Sequence, residues 1–245
     1  MAGRTGRVWG KGSMRALKVL LVLVVVVGGL FVAADRVAVN LAEDKAAEKI
    51  RGSLALPADP EVSIKGFPFL TQVAGRSLDE VDTSLGDLKA SADGHTLRVE
   101  KLKATFHDVR LSDDYSSIEK AASATATATL SYPDLTSASG ANVQVAYGGQ
   151  KDGQGQVKIS PSFPLLSSLE VTGSVTAQGN TLRLRADSIP TMCRLLPGCA
   201  DKVREQTDHE WKLDQLPSNL KLDKVTTGPG GVKITATGTD VKLPG

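Results

Sequence analysis

The sequence predicts an α+β fold: a large, mostly antiparallel sheet with helices at one end and between its halves, preceded by one apolar amino-terminal helix. Three observations carry this expectation. Residues 19–34 read VLLVLVVVVGGLFVAA, without a charge or strong polar group. From Arg36 to Leu54 apolar residues recur at spacings of three and four, the period of an amphipathic helix. Beyond Pro60 the period drops to two, in segments separated by glycine-, proline- and asparagine-bearing turns.

The apolar run comes first. With Ala16, Leu17 and a snorkelling Lys18 it covers residues 16–34, ~28 Å of helix against a hydrocarbon core of about 30 Å. Arg4, Arg7, Lys11, Arg15 and Lys18 give residues 1–34 a charge of +5 with no acid, and Asp35 follows the run directly. The positive-inside rule then leaves residues 1–15 as a basic cytoplasmic stub and places residues 35–245 outside. Two readings share that topology. Val32-Ala33-Ala34 offers a signal-peptidase site, whereas the length of the run and its continuation into a helix fit an uncleaved, single-pass anchor in the cell membrane. Either way the segment means export.

The folded part follows. Val39, Ala42, Ala46, Ile50 and Leu54 form a narrow stripe on a helix that ends near Gly52 and stops at Pro57. A narrow, alanine-rich stripe suits packing on the domain better than lying on a membrane. Thr96 to Glu100 alternates cleanly, and Leu102, Ala104 and Phe106 resume in the opposite phase, which predicts a β-bulge near Lys101. Residues 124–130, ATATATL, pair small and β-branched residues strictly, and threonine at alternate positions suits a pleat. Further strands are expected at 81–90, 142–147, 155–160, 169–177, 181–186, 220–226 and 231–237. Short helices are expected at 133–139 and 191–210, and a proline-broken loop at 213–222. The apolar faces are Val, Leu, Ala and Thr with only five phenylalanines in 245 residues. Such faces make either a thin packed core or a partly hollow tube.

Chemistry is scarce. Residues 35–245 hold 24 basic and 27 acidic side chains, a net −3, so no nucleic acid is expected as a partner. His95, in an Asp-Gly-His turn, His107, on the alternate face from Phe106, and His209, in an acidic helical context, have no ligand at metal spacing. No nucleophile elbow, zinc helix or dinucleotide fingerprint occurs, so no enzyme activity, metal or cofactor is expected. Cys193 and Cys199, the only cysteines, suit a disulfide in an exported chain better than a metal site. The concentrated feature is apolar: Gly66-Phe67-Pro68-Phe69-Leu70-Thr71-Gln72 follows a short strand, with Pro68 holding Phe67 extended in a stiff loop that leaves the sheet. The two rings either fill the core or line a cavity mouth or membrane-facing loop. Residues 157–166 echo this segment, with Phe163, Pro164, Leu165 and Leu166 in corresponding places.

These residues carry a resemblance. Asp35-Arg36 opening a helix with Ala42-Glu43, then VSIKGFPFLTQ at 62–72, Gly75 and Val81, resembles the actinobacterial LmeA-like family of cell-envelope phospholipid-binding proteins. The closing segment agrees: LDQLPSNLKL at 213–222, Val225, Gly231-Val232, and Gly238 through Leu243. The resemblance covers residues 35–243 and implies a curved sheet wrapped around a helix, similar to tubular lipid-binding domains, with a groove for acyl chains. It implies phospholipid as partner and a carrier or accessory role in envelope glycolipid assembly. Phe67, Pro68, Phe69, Leu70, Thr71 and Gln72 are the positions it nominates for lipid; Phe163 to Leu166 follow only from the internal echo. It brings no catalytic residue. The competing expectation is an extracytoplasmic scaffold with a packed core and a protein partner.

Overall fold

The structure is a computed structural model and describes residues 12–92, 95–115, 117–139, 143–161, 171–191, 193, 197–213 and 216–243. Helix α1 (Gly12–Leu54) is continuous through the apolar run and the amphipathic segment. Residues 16–34 are exposed throughout, and the helix is long and apolar enough to cross a membrane. Only beyond Ala34 does it acquire buried residues, Asp35, Val39 and Ala47.

Strand β1 (Glu61–Lys65) runs back along α1, and the short helix α2 (Phe69–Ala74) follows it. Three long antiparallel strands come next: β2 (Ser77–Ala92), β3 (His95–Leu111) and β4 (Ile118–Leu130). After helix α3 (Tyr132–Ala138) the chain builds a second antiparallel sheet. That sheet is a meander of β5 (Val143–Lys151), β6 (Gln154–Pro161), β7 (Val171–Gln178), β8 (Thr181–Ala186) and, after helix α4 (Cys199–Thr207), β9 (His209–Lys212). The hairpin β10 (Ser218–Gly228) and β11 (Gly231–Lys242) then returns to the first sheet, whose order is β1-β2-β3-β4-β11-β10. The smaller sheet is thus inserted in the chain between β4 and β10, which the larger sheet separates by β11. The fold is α+β with a curved antiparallel sheet.

Two apolar clusters occupy the inner face. Near α1 lie Val39, Phe69, Leu78, Val81, Val109 and Ala121; the larger cluster, between the two sheets, includes Leu97, Val99, Leu130, Val157, Ile159, Leu182, Trp211 and Val232. Phe106 touches both. The sheets meet where β10 crosses β6. A Cβ on Gly155 would lie 1.9 Å from the Thr227 carbonyl oxygen, so only glycine fits.

Four expectations are corrected. The phase change at Lys101 is real, but no residue is inserted, because the β2–β3 register is unbroken from Gly86↔Lys101 to Leu88↔Val99. Both strands change phase together, with Asp87 in a left-handed backbone at φ 53°. A second shared irregularity crosses the sheet where Asp108 and Asp240, both at φ 48°, drop out of their ladders while the pairs directly on either side keep the same register. Residues 191–210 are not one helix. Among the described residues of this stretch only Cys199–Thr207 is α-helical, and His209 lies on a strand, because Trp211 pairs with Leu182 and buries its ring. The loop 213–222 is shorter than expected, since β10 already begins at Ser218. Finally, the chain after Pro68 does not continue as a loop but turns at once into α2.

Candidate functional site

The Phe-Pro segment is built around a buried charge. Asp35 is fully buried where α1 leaves its apolar run, and its Oδ1 accepts the Leu70 N–H at 2.8 Å. Burial alone would raise this carboxyl. The Leu70 and Phe69 backbone N–H groups, together with the Arg36 guanidinium at 3.1 Å, outweigh that and hold its pKa below the usual carboxylate value. A carboxylate facing the first N–H groups of a helix satisfies donors that have no partner within it. α2 is therefore capped from α1, 35 residues earlier in the chain.

The remaining motif residues divide by role. Gly66 has φ +95°, and a Cβ there would lie 2.4 Å from Gln72 Nε2 and 2.5 Å from Asp79 Oδ2. Gln72 bridges the loop, donating to the Lys65 carbonyl at 3.3 Å and accepting the Asp79 N–H at 2.9 Å. Thr71 Oγ1 donates to the Pro68 carbonyl at 2.8 Å. Phe69 is buried in the α1-side cluster, and Leu70 is half-buried beside it. Phe67 alone projects, 57% exposed, with the Arg36 guanidinium 5.1 Å above its ring. Phe67 and Phe69 thus take the two fates open to them, one each. Phe163, Pro164, Leu165 and Leu166 lie outside the described residues.

Beyond this loop the inner face of the large sheet changes character. Register sets Thr83, Ala104, Ala126, Ala236 and Leu222 in one row across β2-β3-β4-β11-β10. The adjacent row toward α1 contains Phe106, Ala124 and Gly238; the row beyond contains Leu102, Ala128 and Ile234. The middle strands thus present alanine or glycine at most of nine adjoining inward positions. Ala124, Ala236 and Ile234 belong to the larger cluster, and Leu102, Phe106, Ala126 and Ala128 pack against it while staying only partly buried, so the small side chains floor a shallow trough where that cluster approaches the one near α1. Sequence reasoning recognised ATATATL as a strand and missed this floor. Its signal is the choice of alanine, rather than Val or Leu, on the inward half of the alternation.

A separate open cleft of about 350 Å³ lies on the smaller-sheet side, lined by Ala186, Asp187, Ile189, Cys193, Ala200 and Arg204. Cys193 and Cys199 are joined beside it in a disulfide, Cα atoms 5.1 Å apart. Among the described residues, no three His, Cys, Asp or Glu side chains gather as a metal site would require. His107 faces Glu80 at 3.2 Å on an exposed surface. The site is one of shape and apolar surface.

Comparison with curated proteins and with solved structures returned no match. The family comparison did: residues 33–237 match the family described as LmeA-like phospholipid-binding, a span that takes in Asp35, the Phe-Pro loop, strands β1 to β10 and the first part of β11. The chain belongs to the LmeA-like phospholipid-binding family.

Proposed function

We propose that this protein is held in the cell membrane by residues 16–34, with residues 1–15 cytoplasmic and residues 35–245 forming one extracytoplasmic domain that takes up phospholipid. Acyl chains lie along the alanine-floored trough, and Phe67, Pro68 and Leu70 stand where a chain enters from the bilayer. The observation that carries this is the partly exposed floor of Leu102, Phe106, Ala126 and Ala128, which lies beyond a loop clamped to the membrane end of α1. Each methylene moved from water onto such a surface contributes about 0.8 kcal/mol, so a chain is held without specific chemistry. A role in carrying lipid, or in assisting envelope glycolipid assembly, follows from that reading.

The test is native mass spectrometry of the full chain released from gentle detergent, with extraction and identification of what it retains. A defined phospholipid near one per chain is expected. A clean apo mass that persists after incubation with phospholipid vesicles would instead favour the scaffold alternative.

A further inference from the structure

We propose that the end of the large sheet nearest the apolar helix carries a second lipid-contacting surface, a row of cations that rests on the anionic phosphates of the bilayer α1 crosses. The inference rests on the anchored reading above but concerns a different face.

The membrane end of the sheet follows from connectivity. Phe67 stacks on Arg36 and Ile64 N–H donates to Glu43 Oε1 at 2.7 Å, so β1 runs toward the apolar run as its numbering rises. Antiparallel pairing then brings the start of β2, the end of β3, the start of β4 and the end of β11 to that same end. There the register aligns Ser77, Arg110, Lys120, Lys242 and Ser218 in a single row across five strands. Val109, Ala121 and Val241, one position inward on each strand, are buried on the inner face, so the three cations project from the outer face, where all three are exposed.

Like charges directly opposite one another oppose sheet formation. Three in succession, spaced about 4.8 Å apart, make a concentrated cationic row that an anion would relieve, with the exposed Asp108 and Asp240 two residues away on β3 and β11 and Glu119 beside Lys120. None of the three forms an ion pair with another described residue, while several acids of this end are engaged elsewhere: Asp113 with Arg76, Glu80 with His107, Asp35 with Arg36. The turn beyond the row adds Tyr115, 49% exposed beneath the Arg76 guanidinium at 5.7 Å. Phe67 and Tyr115 are the exposed aromatic side chains of the described residues beyond the apolar run, and both lie at this end. Cations beside projecting aromatics are what the headgroup layer receives.

The test places the full chain in nanodiscs of POPC alone or POPC with POPG and follows acylation of individual lysines by mass spectrometry. Lys103 and Lys233 serve as internal controls on the same strands. They stand about 23 and 30 Å from the row at ~3.3 Å per residue, beyond a Debye length of about 8 Å at physiological salt. Lys120 and Lys242 are expected to react at least about threefold more slowly with POPG, while Lys103 and Lys233 do not change. Added salt or Arg110→Gln should reduce that protection. Equal reactivity in both discs, or equal protection in POPC alone, overturns the inference and leaves the trough reading standing. A chain that fails to enter the discs overturns the anchored reading and this inference together.

Discussion

Asp35 and Leu70 are joined by a 2.8 Å hydrogen bond that ties α1, where its apolar run ends, to the first turn of α2. The sign of its pH dependence follows from the lowered pKa of Asp35. The bond's contribution is complete above the ordinary carboxylate value of about 3.9 and is lost as pH falls through the lower folded value. The Leu70 amide resonance should titrate with a midpoint below 3.9, and Asp35→Ala should make that amide exchange rapidly at neutral pH. A midpoint at or above 3.9 would show that the carboxylate is not so held.

Phe67 and Phe69 are separated by one proline and should respond oppositely to truncation. Phe69→Ala removes a buried ring and should cost about 3–5 kcal/mol in chemical unfolding. Phe67→Ala touches an exposed ring and should stay within about 0.5 kcal/mol, while slowing lipid uptake from vesicles. Equal stability losses would place both rings in the core.

Ala126 lies in the middle row of the trough, between Ala104 and Ala236. Ala126→Leu adds bulk at a partly buried position, so stability should fall by about 1–3 kcal/mol. Retained phospholipid should fall by at least half if the floor holds acyl chains. Unchanged lipid content would move the chains elsewhere.

Gly155 marks the contact between the two sheets. Gly155→Ala forces the Thr227 backbone away and should cost about 1–3 kcal/mol, with a lowered thermal midpoint. A stable variant would mean the sheets are not held at this crossing.

Much of this architecture is legible in the chain. The apolar run, the period-two strands and the helix at 36–54 each report a local preference, and all appear. What was misread depended on partners. The acidic Asp208-His209-Glu210 stretch looks helical until Trp211 is seen to need the cover of the smaller sheet. The phase change at Lys101 looks like a bulge on one strand because Asp87, which changes with it, is fourteen residues away. The Phe-Pro loop is visible as a motif, but not that the Phe69 and Leu70 amides meet Asp35 or that Gln72 ties the loop to Lys65 and Asp79, because those partners lie elsewhere in the chain. The trough was hidden because five strands supply its floor, and each alanine alone reads only as a small residue on a strand.

The most direct test of the central claim is photo-crosslinking of the full chain in nanodiscs that carry a phospholipid with a photoreactive acyl chain. Adducts are expected on α1, which the anchored reading places in bulk lipid, and also on the β3 and β4 peptides containing Leu102, Phe106, Ala126 and Ala128. Their loss in Ala126→Leu would localise the chain to the trough. Adducts confined to α1 would contradict the account.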